Sequence, residues 1–282
     1  MMDVSPPPLS GPSLLSRALP GARLRAGVVA ALILLLIGFV SIVWTPFPIE
    51  KLDLQAQLQD PSATHLLGTD QLGRDLLSMT MKGVLTSFVV AAVATAIGLF
   101  VGVPLGIAAA VAGGWTERLI LGSTGFLVTV SALVFAVLLT AIAGPGAINA
   151  MLAIGLFNIA VLARVTHDLL LPFRGRDHIA ASRLAGLGGW DLARLHVLPQ
   201  FAGLLVAAAL VQLSFGVLAE AGLSFVGLGS QPPGTSLGLM LKDAQGFMLF
   251  EPLLVVVPGA ALLLIALSLN LIATALKDRF DA

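Results

Sequence analysis

Ionisable side chains are scarce in this chain, so each one beside an apolar run needs a chemical reason. Glu220 lies in AEAGLSFVGLGS with Ser224 and Phe225 close behind it. An acid inside a lipid-facing run is costly and marks either a translocation path or outer gate, or a structural pair with a polar group of a neighbouring subunit. GTDQLGRD gathers Gly68, Thr69, Asp70, Gly73, Arg74 and Asp75. Asp70 and Arg74 stand four apart, which allows an ion pair if the segment is helical. Such a pair is worth about 0.3–0.5 kcal/mol, too little to constitute a function. The expected role is a fixed structural element, with receptor docking left open.

Other chemistries fare worse. His65 falls on one side of the apolar runs, and His167, His178 and His196 fall on the other, so they do not converge on a metal. Met79, Met81, Met240 and Met248 are soft donors, but methionine is more often flexible packing. No metal bound by this chain is expected. Ser214 and Ser224 lack a histidine at matching depth, which disfavours an intramembrane serine enzyme. The chain has no cysteine, no His-Glu-x-x-His and no Gly-x-x-x-x-Gly-Lys-Ser/Thr loop to cradle phosphates. Asn158 and Gln212, inside apolar runs, line a pore or bond between helices, the second being commoner.

The elements that position these groups follow from composition. Of 282 residues, 57% are hydrophobic and only 11% charged, against about 25% charged in soluble domains. About 20 apolar residues cross a bilayer core. Runs at about 26–44, 84–112, 119–143, 147–164, 201–227 and 253–276 predict an all-α polytopic membrane protein with six transmembrane helices. Residues 1–25, rich in Pro and Ser, read as a flexible tail; 26–44 is a retained anchor; 45–83 is an outer segment; 84–276 is a five-helix core; 277–282 is a short tail. Lys and Arg orient the whole. With the N-terminus inside, Arg17, Arg23, Arg25, Arg118, Arg164, Arg174, Arg176, Arg183, Arg194, Lys277 and Arg279 are cytoplasmic; only Lys51, Arg74, Lys82 and Lys242 are outside. Zero net charge assigns no nucleic-acid partner. Gly98, Gly102 and Gly106 recur every four residues, a spacing for close helix approach, and Pro104 predicts a kink.

Between the fourth and fifth runs, 174–200 is polar and helix-prone, broken by Gly186, Gly188 and Gly189 and closed by Leu198-Pro199. This predicts a helix-turn-helix bracket on the cytoplasmic face, with Leu184, Leu187 and Trp190 suited to a groove on another protein. A helix lying on lipid is the alternative. The spacing resembles the EAA loop of permease subunits of ATP-binding cassette importers. Ala180, Ala181 and Ser182 take the Glu-Ala-Ala places, Gly186 the glycine, His196 the isoleucine, and Leu198-Pro199 the closing pair. Glu is therefore replaced, and Asp177 or Arg183 is left to supply any charge there. HLLGTDQLGRD (65–75), AEAGLSFVGLGSQPPGTSLGLML (219–241) and NLIATALKDRF (270–280) are similar to signatures of the dipeptide, oligopeptide and nickel branch, second-permease type.

The resemblance implies a type I permease bundle in a bacterial inner membrane, with both termini cytoplasmic and a coupling loop at 174–200 contacting an ATPase through Ala180, Ala181, Ser182, Arg183, Gly186, Leu187, His196, Leu198 and Pro199. It implies a heterodimer with a homologous permease, two ATP-binding cassette subunits that hold ATP and Mg, and an extracytoplasmic substrate-binding protein. No cofactor would sit in this chain. The competing class is a self-contained secondary transporter, which needs ionisable groups at mid-membrane; Glu220 lies off centre.

Overall fold

The computed structural model describes residues 20–130, 132–173 and 198–280. The bracket at 174–197, with Ala180, Ala181, Ser182, Arg183, Gly186, Leu187 and His196, lies outside the described residues, as do the side chains of Leu198 and Pro199. The described chain runs α1 (Pro20–Val43), a 3₁₀ turn (Leu54–Ala56), α2 (Leu76–Ile97), a π-helical segment (Gly98–Gly102), α3 (Val103–Ala112), α4 (Gly114–Thr129), α5 (Ala132–Ala143), α6 (Ala147–Leu170), α7 (Leu198–Val226), α8 (Leu237–Ala244) and α9 (Leu253–Phe280). Among the described residues, five helices are long and apolar enough to cross a membrane, or six if α4 and α5 form one bent span.

The apolar runs make helices because lipid offers backbone groups no other partner. The outer faces of α1 and α9 expose Leu32, Leu36, Phe39, Leu263 and Leu267, while their inner faces join a core of Met79, Val84, Val217, Ala221, Leu237 and Ile265. α2 sits at the centre, packed on α1, α6, α7 and α8. A second core, Val90, Ala94, Ala136, Ala153, Ile154 and Leu223, joins α2 to α5, α6 and α7.

Several boundaries differ from the sequence reading, each for a local reason. Residues 76–83, read as outer segment, are the first turns of α2, because Asp75 caps it through a bond from Ser78 N. The run at 119–143 is not one straight helix: α4 and α5 meet at 83°, where Val128-Thr129-Val130 crowds three β-branched residues and Val130 turns extended. α6 continues past 164 to Leu170, so Arg164 lies within it. The described part of α7 starts at Leu198. Pro104 produces the widened π segment before it rather than a sharp kink. The glycine row is spent inside the subunit. A Cβ on Gly98 would meet Asn158 Cβ at 2.7 Å, one on Gly102 would meet Ile159 O at 2.6 Å, and one on Gly106 would meet Ala163 O, all on α6.

Candidate functional site

The signature at 68–75 lies where α2 begins, and Glu220 and Ser224 lie where α7 ends. Thr69 donates Oγ1 to Ala56 O at 2.5 Å and accepts from Gln59 N at 2.8 Å. Asp70 Oδ1 accepts from Leu72 N and Arg74 N at 2.9 and 2.8 Å, and its Oδ2 accepts from Arg74 Nε at 2.6 Å. The Asp70–Arg74 pair therefore forms, but across a turn rather than along a helix. Gly73 makes that turn possible: its φ is +73°, and a Cβ there would run into Asp53 O. Gly68 has φ +83° and packs on Gln59 O.

Asp75 does three jobs at once. Its Oδ2 accepts from Ser78 N at 2.8 Å and from Ser78 Oγ at 2.7 Å; its Oδ1 lies 2.9 Å from His65 Nδ1. Ser78 Oγ in turn accepts from Phe47 N at 3.0 Å, and the Phe47 and His65 rings lie 4.4 Å apart. The motif is a closed polar knot that fastens residues 45–75 to the head of α2.

A second knot lies beside it. Glu220 is 0% exposed. Its Oε1 accepts from Ser224 Oγ at 2.6 Å and Ser230 Oγ at 3.4 Å, and Ser224 Oγ accepts from Ser230 N at 3.0 Å. Its Oε2 has no partner among the described residues. α7 stops at Gly227, with φ +90°, and Leu228 N reaches back to Leu223 O at 2.8 Å. This is the usual left-handed helix ending. Ser236 then caps α8 through a bond from Leu239 N. Gly238 rests on the Ala221 backbone. Phe225, grouped with Glu220 and Ser224 by the sequence, is 40% exposed, and the hydrogen bonds of the knot run among Glu220, Ser224 and Ser230.

The two knots join. Arg74 Nη2 donates to Asp243 Oδ2 at 3.4 Å, and Leu237 N donates to Ser87 Oγ at 3.2 Å. Sequence reasoning missed Ser230, Ser236, Ser78, Ser87 and Asp243. The capping serine and aspartate were legible, because Ser236 and Asp75 each precede an apolar helical run; Ser87 and Asp243 carry no local signal. Ser214 donates to Ala266 O at 3.1 Å and accepts from Asn270 Nδ2 at 2.7 Å, so it ties α7 to α9. Asn158 is buried with both amide atoms unpaired among the described residues. An apolar groove of about 330 Å³ lies between α2 and α7, lined by Thr95, Leu99, Leu205, Ala209 and Leu213.

We expect Glu220→Leu to lower the yield of folded protein in detergent. It leaves two buried hydroxyls without their acceptor, at about 1–3 kcal/mol for an unsatisfied group. Glu220→Gln, which keeps an acceptor oxygen, should retain the yield. Size-exclusion of a fluorescent fusion reads both; equal yields for Leu and Gln defeat the assignment.

This arrangement has no reacting centre among its described bonds. It is a rigid frame on a helical membrane bundle, and residues 102–282 match the family described as binding-protein-dependent transport system inner membrane component. The chain is a permease subunit of an ATP-binding cassette importer. The permease has the type I fold and is a multi-pass inner-membrane protein. It is 35% identical over 79% of its length, and 74% of the relative's, to the di/tripeptide transport system permease protein DppC of Pseudomonas aeruginosa. It is 30% identical to the glutathione transport system permease protein GsiD of Pectobacterium atrosepticum, over 89% of this chain and 83% of that one. With the nickel transport system permease protein NikC of Escherichia coli it shares 30% identity over 91% and 93% of the two chains. The peptide and nickel branch expected from GTDQLGRD is thus the branch found. Such a permease works with ATPase and binding-protein partners.

Proposed function

We propose that this permease forms half of a heterodimeric channel with a homologous permease, importing peptides or related small solutes. Two ATP-binding cassette subunits, holding ATP and Mg, dock on the cytoplasmic loops, and a binding protein delivers substrate on the outer side. Eleven of the fifteen Lys and Arg, those named above, fall on one side of the spans, which favours both termini in the cytoplasm. In that orientation the two joined knots face outward, where a loaded binding protein meets them, and Glu220 and Ser224 brace the outer end of α7. Membrane lipid covers the exposed apolar faces.

The carrying observation is the EAA-like spacing at 180–199 within the stretch that matches the family. In this reading Ala180, Ala181, Ser182, Arg183, Gly186, Leu187 and His196 sit in a cleft of an ATPase subunit, and Leu198-Pro199 passes the motion into α7. ATP binding shifts the bundle only by favouring one of its states. Among the described residues, the groove between α2 and α7 has one polar lining side chain, Thr95, and no charge. It is a poor selector, which supports assigning cargo choice to the binding protein. Gly186→Pro is expected to abolish substrate-stimulated ATP hydrolysis in proteoliposomes while membrane insertion stays normal. Wild-type stimulation in that variant rejects the coupling role.

A further inference from the structure

At the opposite end of the bundle from the knots, α4 is attached in an unusual way. Its only buried residue is Thr124, so little apolar burial holds it. It meets α6 along a polar seam instead. His167, 4% exposed, sets Nε2 at 2.8 Å from Glu117 Oε1 on the first turn of α4 and Nδ1 at 3.0 Å from Asp168 Oδ1. One turn earlier on α6, Arg164 donates Nη2 to Leu121 O at 3.2 Å. The same guanidinium lies 2.5 Å from where a Cβ on Gly125 would stand. Glu117, Leu121 and Gly125 are spaced by four, one stripe of α4; Arg164 and His167 face it from the last turns of α6. The 3₁₀ turn Leu171–Phe173 follows immediately, and 174–197 follows that.

We propose that His167, together with Arg164, is a positioning residue for energy coupling: the seam makes α4 move with α6 when the segment after Phe173 is displaced. The physical reason is the contrast in attachment. α6 is packed into the apolar core through Ala153, Ile154 and Leu162, whereas α4, which also packs on α3, is tied to α6 by directional bonds at Glu117 and Leu121. Cut those bonds and α6 still moves, but α4 lags. This inference rests on reading 174–197 as the ATPase contact.

The test uses the complete importer in proteoliposomes with its loaded binding protein, measuring substrate-stimulated ATP hydrolysis and solute transported per ATP. His167→Leu removes both ring contacts. His167→Gln keeps a donor able to reach Glu117. Expected for His167→Leu is ATPase docking and stimulated hydrolysis near wild type, with transport per ATP reduced about fivefold or more, the low end of coupling between sites. His167→Gln should restore most of it. Glu117→Ala, at a partly exposed position whose loss leaves no cavity in the core, should reproduce the His167→Leu defect if the latter does not fold. Unchanged transport per ATP in either disruptive variant overturns the proposal; so does a Gln variant as impaired as Leu, which would make the site mere packing. If ATPase subunits fail to dock on the wild-type permease, the earlier reading of 174–197 fails instead.

Discussion

Asp75→Ala should leave little folded permease in the membrane. The carboxylate is 4% exposed and serves the N-cap of α2, the Ser78 hydroxyl and the His65 ring together. Loss of an N-cap costs about 0.5–2 kcal/mol, and a buried donor left unpaired costs about 1–3 kcal/mol more. These terms share atoms and do not simply add, so a loss of about 2–4 kcal/mol is expected. That is much of the stability of an ordinary domain. Ser78 also holds Phe47 N, so the disturbance should spread to the segment entering from α1. Asp75→Asn keeps one acceptor oxygen and should fall between wild type and Ala. Thermal unfolding in detergent and protease sensitivity near residues 45–75 measure both. An Ala variant within about 0.5 kcal/mol of wild type, the range of an ordinary surface substitution, contradicts the knot.

Gly102→Val should separate the π segment from α6 and abolish assembly. A Cβ at 102 would lie 2.6 Å from Ile159 O, 3.1 Å from Ile159 Cα and 3.2 Å from Ala163 N. All three are backbone atoms, so no rotamer change relieves the contact; the helices must part. Overpacking in a core costs about 1–3 kcal/mol, and valine adds two methyls to the clash. Parting the helices also pulls Gly98 and Gly106 from the same partner, losing dispersion along the whole row. Gly122→Ala is the matched control, since nothing lies within 4 Å of a Cβ there, and alanine favours helix. Yield of intact complex after affinity purification separates the two. Equal yields from both variants would falsify the packing role of the glycine row.

Much of the fold was legible because lipid makes hydropathy nearly decisive. Helices α1, α2–α3, α6, α7 and α9 lie where apolar runs predicted spans. The Asp70–Arg74 contact was legible from spacing, but its setting was not. Four-residue spacing fits a helix and a tight turn alike, and only the positive φ at Gly73 selects the turn. The eight residues of α8 escaped because a short amphipathic helix has no span-length signal; Ser236, Ser87 and the Ala221 backbone hold it in place. The bend between α4 and α5 has neither Gly nor Pro at Val128-Thr129-Val130 to announce it. Glu220 was expected on the path or paired across a subunit boundary. Its bonds from Ser224 and Ser230 in its own chain were not legible, because Ser230 lies beyond the end of the helix. The family signatures named the frame without saying what the frame bonds to.

The π segment bears on how the longest described span, Leu76–Ala112, is phased. A π turn holds an additional residue relative to α geometry, so the stretch Leu76–Ala112 is one amino acid longer than its rise requires. The stripes on α2 and α3 are accordingly aligned as they would be on an uninterrupted rod with one position deleted. The surplus is stored at Gly98–Gly102, where the swollen coil keeps the Pro104 ring clear of the Phe100 carbonyl and turns the bare side of the chain towards α6. Residue-count periodicity therefore slips by one between the two halves of this span, and face assignments carried from α2 into α3 by a fixed 3.6 repeat will be rotated by about 100°.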